Sequence, residues 1–139
     1  MIDSRTGVIM APASLPHLSV LPRDVLIVED DPIIALDHED TILGFGVSTV
    51  RTAGTVSRAL DMIADRVPDF ALLDVGLIRE KSFAIAEKLA ALDVPFVFVT
   101  GYGADVRLPP AFADRPRLPK PCQTDALAAA LKRKATDDA

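Results

Sequence analysis

The sequence predicts an α/β domain in which a five-stranded parallel sheet carries helices on both faces. Short apolar segments, typical of strands buried on both faces, alternate five times with segments whose apolar residues recur every three or four positions. This alternation indicates right-handed crossovers between parallel strands. The chain has 139 residues, half of them hydrophobic, which suits one domain with a substantial core.

The first strand and helix are the most clearly bounded elements. The apolar segment 25–28 predicts a buried strand that is followed by acidic residues. Asp31 can cap the next helix and Pro32 suits its first turn. We expect that helix to stop at Gly44 or Gly46.

The next two strands are predicted at 47–51, which is rich in β-branched residues, and at 70–73, which precedes Asp74. Thr55 can cap the helix between them. The spacing of its apolar residues predicts one buried stripe, made of Val56, Ala59, Leu60, Ile63, Ala64 and Val67.

In the second half, Ser82 can cap a third helix and 96–99 predicts the fourth strand. Two adjacent prolines within 104–115 would break a long helix, so we expect at most a short one there. Segment 117–118 predicts a brief last strand, and 123–134 predicts the final helix.

For a domain of this size the predicted topology is the flavodoxin-like (βα)5 fold, with strand order 2-1-3-4-5. Strands one and three are then neighbours at the point where the chain reverses its direction across the sheet. Ligands bind in the crevice outside the carboxyl ends of such strands.

The residues at those carboxyl ends carry the functional argument. Glu29 and Asp30 end strand one, and Asp74 ends strand three. Thr100 ends strand four, and Lys120 follows strand five. Each residue alone has an ordinary explanation as a loop, capping or surface residue. Their ordered combination favours a shared site.

Carboxylates that crowd together repel one another, and a hard divalent cation relieves the repulsion. We therefore expect a Mg²⁺ or Mn²⁺ site with Asp30 and Asp74 as direct ligands. The Gly76 carbonyl could supply a third ligand, and Glu29 could hold a metal-bound water.

A carboxylate can attack a phosphoryl group and form an acyl phosphate. Asp74 is the candidate nucleophile, and the protein contributes positioning and charge neutralisation. The Lys120 ammonium would bind one phosphoryl oxygen and the Thr100 hydroxyl another. Gly101 has no side chain to block the incoming group.

With these residues identified, the chain resembles the receiver domains of two-component response regulators over residues 23–135. Four motifs in order carry the resemblance: Val-Leu-Ile-Val-Glu-Asp-Asp-Pro at 25–32, Leu-Leu-Asp-Val at 72–75, Val-Thr-Gly at 99–101 and Leu-Pro-Lys-Pro at 118–121. The segment Pro-Phe-Val-Phe-Val-Thr-Gly-Tyr that ends at Tyr102 is also similar to the motif of single-domain "FAT GUY" receivers, with valine in place of the alanine.

The resemblance implies a role for each site residue. The residue matching Asp74 is phosphorylated by a histidine kinase or a histidine phosphotransfer protein. Those matching Glu29 and Asp30 bind Mg²⁺. Those matching Thr100 and Lys120 contact the phosphoryl group.

The chain departs from the family pattern in two places. Most receivers have a switch aromatic three residues before the lysine, where this chain has Arg117. Tyr102 and Arg117 are therefore both candidates for the switch residue. An equally weighted alternative is that Tyr102 only lines the mouth of the pocket. The loop after Asp74 contains Gly76 and lacks the proline often found there.

We expect a stand-alone response regulator that signals through protein–protein binding, as a phosphorelay intermediate, a phosphate sink or a partner regulator. No enzymatic activity is expected beyond self-catalysed phosphotransfer to Asp74 and its dephosphorylation. Residues 1–22 are expected to form an irregular N-terminal extension and 136–139 a C-terminal tail, with no effector domain after the last helix.

Two alternatives belong to other classes. A degenerate receiver would bind partners without being phosphorylated. A flavin binder is disfavoured, because the acidic residues 29–31 would repel an anionic cofactor at the end of strand one.

Composition restricts the partners. The formal net charge of −5 disfavours direct binding to nucleic acid.

No apolar run approaches the roughly 20 residues of a membrane span, and no signal peptide is expected because prolines interrupt the N-terminal apolar stretch. The single cysteine, Cys122, suits a reducing cytoplasm. The sequence leaves a homodimer open.

Overall fold

The structure is a computed structural model that describes residues 21–76, 83–101, 110–112, 114–120 and 122–132, together with the helical backbone of 133–137. The strands are β1 (Asp24–Val28), β2 (Thr49–Ala53), β3 (Phe70–Asp74), β4 (Phe96–Thr100) and β5 (Arg117–Pro119). They form one parallel sheet in the order β2-β1-β3-β4-β5, which confirms the predicted topology.

Four α-helices and one 3₁₀-helix lie in the described part of the chain: α1 (Pro32–Gly44), α2 (Val56–Asp65), α3 (Phe83–Ala91), the 3₁₀-helix (Pro110–Phe112) and α4 (Thr124–Asp137). Asp31 caps α1 by accepting hydrogen bonds from two backbone N–H groups of its first turn. Thr55 caps α2 in the same way. Both caps confirm the sequence prediction. Among the described helices, none combines the length and apolar character needed to cross a bilayer.

The start of β2 differs from the prediction. The strand begins at Thr49 rather than at residue 47. Gly46, with a φ of 106°, turns the chain after α1, and Val47 is buried in the core before the ladder to β1 begins. A β-branched segment therefore predicted the strand, but not the point at which its pairing starts.

The predicted buried stripe of α2 is wrong at two positions. The helix ends at Asp65, so Val67 lies in the connection beyond it and is exposed. Ala64 is also exposed, whereas Ala59 and Ile63 are buried as predicted. The apolar spacing continued past the end of the helix, and sequence spacing alone does not mark that end.

The second half of the fold follows the prediction with small changes at the element ends, since β4 and β5 each extend one residue further than predicted, to Thr100 and Pro119. The helix α4 ends at Asp137 rather than at residue 134. The 3₁₀-helix before β5 is the short helix expected in that connection. The predicted cap Ser82 and the connecting residues 102–109 lie outside the described residues.

The core lies in two layers, one on each face of the sheet. Successive strand side chains point to opposite faces, so Leu26 and Val28 pack with α2 and α3, while Val25 and Ile27 pack with α1 and α4. The strands β1 and β3 are buried along their whole length. This two-sided burial explains why both read as continuous apolar runs.

A histidine lies on the inward side of α1. His38 is only 3% exposed and is buried with Ala35 and Ile42 on the same helix. Burial lowers the pKa of His38 below its ordinary value, and the positive charge of Lys120 acts in the same direction. The carboxylate of Asp37 opposes this lowering, with a smaller contribution from Asp74. His38 is therefore neutral in the folded protein at neutral pH.

A charged network closes the amino end of the sheet. The Arg51 guanidinium binds both carboxylate oxygens of Asp24, at Nε–Oδ1 3.1 Å and Nη2–Oδ2 3.0 Å. It also donates to the carbonyls of Met62 and Arg66 at the end of α2, at 2.9 and 2.8 Å. Arg66 Nε donates to the same Asp24 at 2.8 Å. Arg51 thereby ties β1, β2 and α2 together.

Replacing Arg51 with methionine is expected to lower the free energy of unfolding by about 2–4 kcal/mol, because Asp24 loses its bidentate partner and two helix-end carbonyls lose their donor. Urea denaturation followed by circular dichroism measures the change. The exposed neighbour Arg23, changed to methionine, is the control and should cost about 0.5 kcal/mol or less. Equal losses in the two variants would contradict the role assigned to Arg51.

The burial of His38 makes folding stability depend on pH. A base whose folded pKa is lowered contributes full stability above its unfolded pKa, near 6.5, and loses it as the pH falls further. The stability advantage of the natural protein over a His38→Gln variant should therefore shrink between about pH 7.5 and about pH 5.5. Urea denaturation at both pH values tests this, since all other titrating groups are common to the two proteins. A difference that does not change with pH would refute the assignment.

Candidate functional site

Three acidic side chains meet where β1 and β3 end side by side. Val28 pairs with Leu73 in the sheet, so Glu29 and Asp74 are the next residues of neighbouring strands. One carboxylate oxygen from each of Glu29, Asp30 and Asp74 lies within 4.8 Å of the others. The structure thus brings together the acidic cluster predicted from the strand ends.

The cluster has the chemistry that a hard divalent cation requires. Glu29 and Asp74 are 4% and 3% exposed, and Asp30 is half-buried at the mouth of the cluster. Mg²⁺ prefers oxygen ligands and keeps several waters, so a site with one open side suits it. The three carboxylates therefore fit such an ion.

Lys120 bridges the two buried acids. Its Nζ lies 2.8 Å from Glu29 Oε1 and 3.1 Å from Asp74 Oδ2. Its backbone N–H donates to the Thr100 carbonyl at 2.9 Å, which fixes the residue after β5 against the end of β4. The predicted convergence of the lysine and the aspartate is therefore confirmed in the structure.

Burial and the contacts among these residues shift two pKa values in the site. Burial raises the pKa of Glu29 to about 7, although hydrogen bonds from Lys120 and from the Asp31 N–H act in the opposite direction. Burial alone would lower the pKa of Lys120, but its hydrogen bonds to Glu29 and Asp74 and their negative charges outweigh that effect and raise it. Lys120 is thus a permanent cation.

The backbone orients Asp74 from the other side. The Gly76 N–H donates to Asp74 Oδ1 at 2.9 Å, while Lys120 binds the other oxygen. A Cβ added at Gly76 would lie 3.5 Å from the same Oδ1. The Gly76 carbonyl was expected to be a metal ligand, whereas the contact that the structure describes in the site is made by the Gly76 N–H.

The other predicted residues are Thr100, Gly101 and the two switch candidates. Thr100 is half-buried, and its described contact in the site is the backbone bond to Lys120. A Cβ added at Gly101 would meet nothing within 4 Å, so space is open beside Thr100. The switch candidate Arg117 has an exposed side chain on β5, and Tyr102 lies outside the described residues.

Sequence reasoning missed three features near the site. His38 is one of them. Cys122 is half-buried two residues after Lys120, and burial raises its pKa to about 11. The third is an open cleft of about 410 Å³ between the first two turns of α1 and the end of β2, which we name the α1–β2 cleft. The extra apolar residues of α1, Ile33 and Leu36, were the only sequence signal for it.

The chain is similar to solved receiver structures over most of its length. It is 47% identical to SdrG from Sphingomonas melonis Fr1, covering 78% of this chain and 92% of that one, with a TM-score of 0.69. A BeF3-activated conformation of SdrG from Pseudomonas melonis Fr1 matches at 43% identity, 82% and 95% coverage and a TM-score of 0.68. The PhyR response regulator REC domain from Erythrobacter litoralis matches at 26% identity, 83% and 90% coverage and a TM-score of 0.65.

Sequence comparison alone leads to the same group of proteins. The regulator PhyR from Methylorubrum extorquens is 31% identical over 85 residues, which is 59% of this chain. This chain spans about a third of the length of that protein, since the match covers 32% of it. A scan against protein-family models found no match.

Three observations point to the same family: the strand order, the meeting of side chains from the ends of β1, β3 and β5, and the 47% identity across nearly all of SdrG. Subgroup membership is a separate matter, and the likeness to the "FAT GUY" receivers stays a prediction. The chain belongs to the receiver domains of response regulators.

Proposed function

We propose that this chain is a stand-alone response regulator that accepts a phosphoryl group on Asp74 from a histidine kinase or a histidine phosphotransfer protein. One observation carries the proposal. The Asp74 carboxylate is almost fully buried, yet it is fixed between the Lys120 ammonium and the Gly76 N–H beside two further acids. A structural ion pair would need only one acid, whereas three carboxylates beside one ammonium leave a negative excess that suits a divalent cation, and that cation would admit the phosphoryl dianion.

The transfer is a displacement at phosphorus. A carboxylate oxygen of Asp74 forms the new P–O bond while the P–N bond of the donor phosphohistidine breaks. The electron pair of that bond stays on the imidazole, which takes up a proton. Lys120 would exchange its contact with Asp74 for a phosphoryl oxygen, and the Thr100 hydroxyl would bind a second one.

Glu29, Asp30 and Asp74, with the Gly76 carbonyl, are the residues that would bind Mg²⁺ or Mn²⁺. When bound, the ion would neutralise the phosphoryl charge during transfer. Without such a cation, Glu29 and Asp74 share the single charge of Lys120.

The output is protein binding. Phosphorylation would shift the domain between two conformations, and the partner would recognise one of them. The activated conformation known for SdrG supports this mode of action.

We propose residues 23–135 as the functional domain, 1–22 as an extension and 136–139 as a tail. Cys122 suits a reducing compartment, and we propose the cytoplasm.

Incubation with acetyl phosphate and Mg²⁺ should add about 80 Da to the intact mass of the protein. Asp74→Asn should abolish the gain, because an amide oxygen cannot form a stable acyl phosphate in this way. Lys120→Met should slow the gain by at least about tenfold, since phosphoryl charge is left without its ammonium. Asp61→Asn, an exposed carboxylate on α2, is the control. The absence of any gain in the natural protein would favour a receiver that acts without phosphorylation.

The Mn²⁺ affinities of two variants should distinguish a metal ligand from a competing cation. Asp30→Asn should weaken Mn²⁺ binding by on the order of tenfold or more, because a charged oxygen ligand is lost. Lys120→Met should leave the affinity equal or higher, because a competing cation disappears from beside Glu29 and Asp74. Electron paramagnetic resonance of free Mn²⁺ measures both, with Glu87→Gln on α3 as the exposed control. Unchanged binding in Asp30→Asn would remove Asp30 from the ligand set.

A further inference from the structure

We propose that residues 6–20 pack along the solvent side of α1, and that this intramolecular cover slows the access of protein partners to Asp74. The packing is independent of the proposed function, and only its effect on phosphoryl transfer rests on that function. The segment lies outside the described residues. Three observations support its place: the surface of α1, the composition of the segment and the point where the described chain begins.

The solvent side of α1 is apolar from one end of the helix to the other. Ile33, Leu36 and Leu43 are 78%, 57% and 41% exposed. Together with the exposed Asp40 they recur at helical spacing on one face, which we name the outer face of α1. The opposite side of the helix is buried in the core. A helix that is apolar on both sides is typical of one covered on both sides, whereas the exposed side of α2 is mostly polar.

The segment before the described chain has a matching composition. Residues 6–22 contain no lysine, arginine, aspartate or glutamate. Large apolar side chains recur along this stretch, at Val8, Ile9, Met10, Leu15, Leu18 and Val20. Their burial stabilises a protein by about 25 cal/mol per Å² of apolar surface removed from water. The segment and the outer face would therefore each offer the other the apolar contact that it lacks.

The described chain begins beside one end of the outer face. Leu21 is half-buried against the core layer that lies under α1, and its Cδ1 would be 3.9 Å from a Cβ added at Gly46. The Gly46 N–H in turn donates to the carbonyl of Leu43. From Leu43 the outer face extends about 15 Å to Ile33, a distance that roughly five extended residues span. The segment is therefore long enough to cover the whole face.

Charge disfavours the main alternative occupant, a second copy of this chain. The helix α1 contains Asp37, Glu39 and Asp40 but no lysine or arginine. Pairing of two outer faces would bring the acids of both helices together without a compensating base. An anionic lipid surface would be repelled for the same reason. An uncharged segment of the same chain avoids this repulsion, and its covalent link at Leu21 gives it a high effective concentration.

The cover would act on access to the site. The first turn of α1 follows directly after Glu29 and Asp30, whose carboxylates lie beside Asp74. A segment that reaches Ile33 therefore lies at the edge of the site. A protein partner would have to displace it, which lowers the fraction of molecules that are ready to react. A small phosphodonor would not.

Photo-crosslinking in the full chain tests the packing. The photoreactive amino acid p-benzoylphenylalanine replaces Asp40, which is exposed within the outer face. After illumination, cleavage by trypsin at arginine releases the segment in peptide 6–23 and α1 in peptide 24–51. We expect these two peptides to be joined. The same amino acid in place of Asp61, an exposed aspartate on α2, is the matched control and should not be joined to peptide 6–23.

Isotope labelling separates contacts within one chain from contacts between chains. The crosslinking is repeated in an equal mixture of ¹⁵N-labelled and unlabelled protein. Joined peptides should then carry the same label, because the segment covers the helix of its own chain.

Two pairs of substitutions test the apolar contact. Leu15→Ser combined with Leu18→Ser should lower the crosslink yield from position 40 by at least about fivefold, because the segment loses apolar surface. Ser14→Ala combined with Ser19→Ala keeps every large apolar side chain, so the yield should stay within about twofold of that of the natural segment.

Phosphoryl transfer measures the effect on access. The protein donor is the histidine kinase or histidine phosphotransfer protein of the source organism that labels the chain fastest. Leu15→Ser combined with Leu18→Ser should speed this transfer by at least about threefold, because fewer molecules are covered. Labelling by acetyl phosphate should stay within about twofold, because the substitutions leave Asp74 unchanged.

Each other outcome has a definite meaning. Peptides 6–23 and 24–51 that are not joined, or that are joined equally well from position 61, would overturn the proposal. Joined peptides of different label would assign the outer face to a second copy. Unchanged transfer from the protein donor in the leucine variant would refute the effect on access. The absence of any labelling of the natural protein would end the proposed function of Asp74, and the crosslinks would still decide whether the segment covers α1.

Discussion

The Lys120 ammonium, placed between two buried carboxylates, is the interaction on which the rest of this molecule depends. Burying a carboxylate without a partner is costly, and burying two beside each other is more costly still. Lys120 meets both within hydrogen-bonding distance. One positive charge cannot compensate three acids, however, so the site keeps a negative excess. That excess would attract a divalent cation, and the cation would in turn allow a phosphoryl group to bind.

The sheet brings this lysine to its place through the backbone. Parallel strands end at one edge of the sheet, so the strand pairing brings residues that are distant in the sequence together there. The Thr100 carbonyl then accepts the Lys120 N–H, and the Val75 N–H donates to Val99 at the end of β4. These bonds continue the ladders one step past the strands. The ends of β3, β4 and β5 are therefore rigid where the chemistry requires it.

The site was predictable from the sequence because the residues that form it are marked locally. Each follows a predicted strand, and the sheet topology brings the carboxyl ends of those strands to one edge. The Arg51 network and the α1–β2 cleft have no comparable local signal in the sequence. Arg51 reads as a polar residue in a strand, and only the fold shows that it reaches Asp24 and the end of α2. The errors at Ala64 and Val67 have a related cause, since helix periodicity does not report where tertiary packing stops.

In the described part of the chain, the two ends of the sheet differ in how their buried carboxylates are compensated. At the amino end, Asp24 is neutralised by Arg51 and Arg66, and Asp69 accepts two backbone N–H groups. The buried carboxylate of Asp24 is therefore fully compensated, and this network contributes to stability. At the carboxyl end, three carboxylates share one ammonium. The folding free energy obtained elsewhere in the domain must offset the repulsion among these carboxylates, and a bound divalent cation would relieve that repulsion.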